Sequence, residues 1–322
     1  MQQSNAAAFP RRRFLTNVAK AAGFGAAVVT FPSFVRKAEA KDAAMPEFKY
    51  AICNEVFGDW PFEKTFAFAA KCGYTGVEIA PFTMATYADK ISAARRGEVR
   101  RQAKQAGLEV VGLHWLLGKT EGFHVTSPDA AVRRKTTAYL GELARLCGDL
   151  GGRIMVLGSP QQRNLAAGMS KQQGMKYAAE VLHAAAATLE KTGVVIALEP
   201  LATVETNFLT TAAEGAELVA LVDSPTCRLH LDCKAMSAEK TPIPELIHKY
   251  RKQFIHFHAN DPNRQGPGFG KLDFVPIMKA LAEIEYRGWV SVEPTDYSAG
   301  AERLARESIA YLRKCAAKSG DN

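Results

Sequence analysis

Val194-Val195-Ile196-Ala197-Leu198-Glu199-Pro200 is a short apolar run that stops on a carboxylate and breaks at proline. Three later runs have the same shape: Cys227-Arg228-Leu229-His230-Leu231-Asp232, Phe254-Ile255-His256-Phe257-His258 and Trp289-Val290-Ser291-Val292-Glu293, the last again followed by proline. Each reads as a β-strand that ends on an ionisable residue. Two Glu, one Asp and one His are the donors a hard-to-borderline divalent cation takes. Their common position at the C-terminal end of successive strands is where a (β/α)8 barrel carries its chemistry.

Working outward, the rest of the chain alternates in the same way. Strands are expected at 48–54, 76–79, 109–114 and 153–157, and helix-period runs at 60–72, 89–105, 127–150, 170–191, 211–222, 243–252, 274–285 and 300–318. Glycines stop several of the helices, among them Gly73, Gly107 and Gly193. The stretches 158–168 and 260–271 read as long polar loops, the second by its Gly, Pro and Asn content. Eight β-then-α units with no second composition regime give one α/β domain, a single (β/α)8 TIM barrel. An open doubly wound sheet is the alternative, and its dinucleotide-binding form lacks the required G-x-G-x-x-G after the first strand. At 322 residues and 47% apolar content the chain can bury such a core.

Residues 1–40 read as a cleavable export signal ahead of a barrel spanning 41–322. Arg11-Arg12-Arg13-Phe14-Leu15 has the twin-arginine arrangement, an apolar run follows from Val18 to Val35, and Ala38-Glu39-Ala40 supplies a small-x-small cleavage pattern. The run is short, contains Lys20 and several small residues, and favours cleavage over a retained anchor. The expectation is a periplasmic or otherwise extracytoplasmic protein with no stable membrane insertion after processing. Six cations against one Glu in this segment carry +5 of the formal +8, leaving about +3 for the barrel, which gives no nucleic-acid signal. The six cysteines are scattered without a C-x-x-C pair, so buried thiols are expected, with Cys233 beside Asp232 the one to watch.

A lone strand-end Glu is usually a solvated rim residue. Glu199 and Glu293 differ because each follows an apolar run and precedes proline, and an ionised carboxylate held inside a barrel mouth without a partner is costly. A cation removes that cost. Alternation puts His230 on the side of Asp232 and His256 on the side of His258, one layer deeper, where a structural or orienting role is expected.

These strand ends, separated by 33, 26 and 35 residues, stand with Glu205-Thr206-Asn207-Phe208-Leu209 after the first and His258-Ala259-Asn260-Asp261-Pro262-Asn263-Arg264 around the third. In this the chain resembles the xylose-isomerase-like TIM-barrel sugar isomerases and epimerases, most of all their ketose (tagatose) 3-epimerase branch. The resemblance implies Glu199, Asp232, His258 and Glu293 as ligands of one divalent metal ion, Mn²⁺ first with Mg²⁺, Co²⁺ or Zn²⁺ as alternatives. It implies Glu199 and Glu293 as the catalytic acid–base pair, and Glu205 and Arg264 as substrate contacts. Glu78 and His114, at the ends of the second and third strands, stand as substrate contacts or rim structure. The branch commonly carries a substrate-contacting His three residues after the strand-6 Asp, where this chain has Ala235 after Cys233 and Lys234. A changed substrate is the simplest consequence.

The function expected is a divalent-metal-dependent isomerase or epimerase acting on a keto-sugar or sugar derivative through a metal-stabilised enediolate. The alternative is a lyase or dehydratase that eliminates from a keto-sugar, keto-glycoside or keto-inositol at the same site. A metal-dependent endonuclease and a non-catalytic sugar-binding protein are the remaining readings: Ala235 and export count against the first, the paired glutamates against the second. The partner expected is a small carbohydrate and not nucleic acid, with a homo-oligomer left open.

Overall fold

The structure, a computed structural model, describes residues 47–320, so the segment 1–40 lies outside the described residues. The apolar runs form eight strands: β1 (Lys49–Cys53), β2 (Gly76–Ile79), β3 (Glu109–Leu113), β4 (Ile154–Leu157), β5 (Val195–Leu198), β6 (Cys227–Asp232), β7 (Phe254–Ala259) and β8 (Trp289–Val292). Each pairs in parallel with its sequence neighbour and β8 pairs with β1, so the sheet closes into a barrel. Closure satisfies every strand laterally and leaves no open edge.

The connecting helices are α1 (Phe62–Cys72), α2 (Ala93–Gln105), α3 (Ala130–Leu150), α4 (Lys171–Thr192), α5 (Ala212–Val222), α6 (Cys233–Met236), α7 (Ile243–Tyr250), α8 (Val275–Glu283) and α9 (Ala301–Ser319). Side-chain caps decide several starts. Ser92, Ser170 and Thr211 each accept from the backbone N–H three residues on, which satisfies a first-turn donor. Gly73 ends α1 with φ of 99°, a left-handed conformation that L side chains avoid. The helix expected from residue 89 begins later, because a single turn of 3-10 helix at Ala88–Lys90 breaks at Ile91 and Ser92 caps the true start.

Helix faces pack onto the barrel wall through Phe66, Leu140, Leu189, Leu218, Leu281 and Leu312, all fully buried. A separate small cluster of Ala51, Val111 and Trp289, with Ile154 against it, fills the end of the barrel where the strands begin. The other end holds the ionisable residues. No helix among the described residues is long and apolar enough to cross a membrane.

Candidate metal centre and active site

Strand register brings the site together. Asp232 on β6 lies directly beside His258 on β7, and one step deeper His230 pairs with His256. Glu199 and Glu293 are the first residues beyond β5 and β8. All four residues expected as ligands are buried. Donor atoms of Glu199, Asp232 and His258, together with His230, lie within 4.8 Å of one another. Glu293 joins through His258: its Oε2 is 3.0 Å from His258 Nδ1, while Glu199 Oε1 approaches the same nitrogen at 3.6 Å.

That donor set suits a divalent ion. Two carboxylates converge on one imidazole nitrogen, and His258 Nδ1 and both nitrogens of His230 are buried without a hydrogen-bond partner. Groups so placed are costly unless something binds them. The other ring nitrogen of His258 is already engaged, Nε2 lying 3.2 Å from Glu78 Oε1. A metal-binding imidazole is oriented by a carboxylate in this way.

Asp232 is held on both oxygens. Its Oδ1 accepts from Ala235 N–H at 2.7 Å, capping α6, and its Oδ2 accepts from Asn260 Nδ2 at 2.6 Å. The short helix α6 and the role of Asn260 were not anticipated from the sequence, although Asn260 stands two residues after His258 and so shares its side by alternation. Glu199 is placed by its surroundings. Arg163, fully buried in the 158–168 loop, donates from Nη1 to the Glu199 carbonyl at 2.6 Å and from Nη2 to that of Leu157. A Cβ on Gly158 would overlap the Glu199 carboxylate, so glycine leaves the room that side chain occupies.

The electrostatics separate the two glutamates. Burial and the facing Glu293 push Glu199 up to about 7. For Glu293 burial acts in the same direction but is outweighed by His258 and His114, which hold it well below the usual carboxylate range. Burial would lower His258, yet Glu293 and Glu78 raise it. His114 rises to about 10 for the same reason, burial being overcome by Glu55 and Glu293.

Glu205 and Arg264 face the mouth with the glutamates. A cavity of about 220 Å³ is lined by Glu199, Glu293, Glu205, Lys234, Arg264 and Trp115, among others. Lys234 Nζ reaches Glu205 Oε1 at 2.5 Å, while Ala235 is buried in α6. Glu78 and His114, left between substrate contact and rim structure by the sequence, do not line this cavity. Glu78 is fully buried, its Oε1 accepting from His256 and His258 at 2.8 and 3.2 Å. His114 is wedged between Glu55, 2.9 Å away, and Glu293, 3.4 Å away. Both hold the groups above them. Cys233 is buried, as are Cys53, Cys147, Cys227 and Cys315, and all six thiols are free. Cys53 was missed as a neighbour of the site: its sulfur lies within 4.8 Å of donor atoms on His258 and Glu293.

A closed parallel barrel with carboxylates and imidazoles gathered at the strand C-termini defines the class of TIM-barrel enzymes. Residues 66–315 match the xylose isomerase-like TIM barrel family, and the chain belongs to it. A probable ketose 3-epimerase of Synechocystis sp. is 27% identical over 271 residues, covering 78% of this chain and 90% of that protein. A D-psicose 3-epimerase of Ruminiclostridium cellulolyticum is 28% identical over 227 residues, covering 70% and 75%. The crystal structure of D-psicose 3-epimerase with D-tagatose from Clostridium cellulolyticum superposes with a TM-score of 0.74 at 23% identity, over 84% of this chain and 99% of that one. The homologues are sugar epimerases, members of the isomerase class.

Proposed function

We propose that the protein is a divalent-metal-dependent epimerase of a keto-sugar or sugar derivative, with Glu199 and Glu293 as its acid–base pair. The observation that carries this reading is the approach of both carboxylates to His258 Nδ1, at 3.6 and 3.0 Å, in a buried pocket that drives their proton affinities apart. Paired groups tuned in opposite directions are how one site runs acid and base chemistry at neutral pH.

Glu293, kept ionised by its two imidazoles, takes the proton from the carbon beside the substrate carbonyl. Glu199, in its protonated form, returns one to the opposite face of the enediolate, which inverts that carbon. The reverse direction exchanges the two roles. Glu199, Asp232, His258 and Glu293 would hold the ion, Mn²⁺ first, which when bound polarises the carbonyl and offsets the charge that builds on its oxygen. Lys234, paired to Glu205, and Arg264 supply polar contacts for the hydroxyls, and Trp115 an apolar wall. The relatives' activities favour proton return over elimination.

Incubation with a panel of keto-sugars and keto-glycosides in D₂O, read by NMR, tests the reading. Inversion with deuterium at the inverted carbon is expected. Carbonyl migration or loss of a substituent, without inversion, would replace it. Export rests on residues 1–40 alone, and it is tested by replacing Arg11, Arg12 and Arg13 with Lys, which should leave the full-length chain in the cytoplasm.

A further inference from the structure

The reaction cavity is small. Pockets for larger organic ligands run to about 300–1,000 Å³, and about 220 Å³ suits a single sugar ring. Beyond it, with Trp115 and Thr295 as walls common to both, lies a second cavity of about 700 Å³. Its lining combines the aromatic side chains of Trp60, Phe82, Trp115 and Tyr297 with Lys119 and Glu55.

Three observations at this second cavity point to a ligand. Glu55 is 6% exposed and lines the cavity; its Oε2 pairs with His114 Nε2 at 2.9 Å, while Oε1 is buried with no aligned hydrogen-bond donor. The free Oε1 is an acceptor available to a ligand hydroxyl. Trp115 has φ of 51°, a left-handed conformation that a bulky residue adopts only where the surroundings impose it. Its indole stands edge-on to Phe82 at 6.1 Å, on the boundary between the cavities, and Lys119 Nζ lies 4.1 Å over the Phe82 ring. Aromatic faces beside charged acceptors and donors suit a sugar ring, which presents C–H faces and a hydroxyl edge. The spacing also fits: only the His114 ring separates Glu55 from Glu293, through contacts of 2.9 and 3.4 Å.

We propose that the second cavity is a subsite for a sugar ring glycosidically joined to the reacting keto ring, so that the substrate is a keto-disaccharide rather than a free ketose. This rests on the proton-transfer reading above for the position of the reacting ring. In the subsite, Glu55 accepts from hydroxyls of the second ring while Trp60 and Phe82 cover its apolar face.

The test has a kinetic and a binding arm, both on the Mn²⁺-loaded protein. Deuterium exchange of keto-cellobiose and keto-trehalose is compared with that of methyl keto-glucoside and free ketohexoses. Calorimetry compares unoxidised cellobiose and trehalose with glucose. At least one keto-disaccharide is expected to exceed methyl keto-glucoside by tenfold or more in kcat/KM, and its parent disaccharide to bind tenfold tighter than glucose. Trp60→Ala and, independently, Phe82→Ala and Lys119→Ala should reduce both ratios while exchange of methyl keto-glucoside stays unchanged. Equal use of the one-ring substrates, with all three variants neutral, overturns the subsite and leaves the epimerase reading standing. Variant-sensitive disaccharide binding without exchange of any substrate supports the subsite and overturns the epimerase reading. Neither binding nor exchange overturns both.

Discussion

The two ends of the barrel interior are built from opposite materials. Where the strands begin, Trp289 packs against Ala51 and Val111 with Ile154 beside them, and Lys49 Nζ sits 4.7 Å over the indole. Where they end, Glu78, His114, His230, His256 and His258 are each fully buried, with Glu199 and Glu293 just above. Burying apolar surface at the first end stabilises the fold directly, by roughly 25 cal/mol for each Å² removed from water. Burying ionisable groups at the second end opposes folding unless each finds a partner. The difference separates stability from chemistry within a single sheet, and changes at the two ends should be felt in different measurements.

The largest effect belongs to the mouth. Glu199→Gln and Glu293→Gln should each slow deuterium exchange at the substrate C–H by about 10²–10⁴-fold with little change in the circular dichroism of the fold; full exchange in both would remove the acid–base assignment. At the other end Trp289→Ala should cost about 3–5 kcal/mol of stability in denaturant melts, while the molecules that remain folded exchange at the normal rate. Should this variant instead lose activity without losing stability, the division between the two ends is wrong.

Smaller effects sharpen the same contrast. Glu78→Gln withdraws the carboxylate that orients His258, and Mn²⁺ affinity by calorimetry should fall about 10–100-fold; an unchanged affinity would reduce Glu78 to a buried partner of His256. The smallest effect comes from pH. Burial and Glu293 raise Glu199 in the folded, metal-free protein from the ordinary carboxylate value of 4.5 to about 7, so this group binds a proton more tightly folded than unfolded. Its contribution to metal-free stability therefore falls as pH rises from about 4.5 through 7. A cation must displace that proton and the one His258 holds, so Mn²⁺ affinity should rise with pH through 7 and continue rising above it. Thermal melts with and without Mn²⁺ at pH 6 and 8 check this, the larger increment being expected at pH 8.

Glu199 and Glu293 were legible because each closes an apolar run and precedes proline, a local pattern that survives without any knowledge of the fold. Cys227–Asp232 and Gly76–Ile79 likewise have the same bounds in the sequence reading and in the structure. Glu78 was not legible in its role. A strand-end carboxylate has the same sequence appearance whether it faces solvent or lies under an imidazole, and only the neighbouring strands decide. The same holds for His114 and Glu55, whose partners lie just past β8 and β3, far along the chain. Arg163 offered no signal, since a loop arginine is ordinarily exposed and this one is buried against two backbone carbonyls.

By itself the sequence determined the alternation of strand and helix, the count of eight units and the kind of atom at each strand end, because these depend on side-chain character within a few residues. Only the tertiary structure decided which of those atoms meet. Lateral register is a property of two distant segments at once: a shift between Leu229 and His230 sets Asp232 beside His258, and another between Val77 and Glu78 adjusts β2 against β3. Such irregularities re-aim side chains near a site, and no local pattern in either strand reports where its partner will begin.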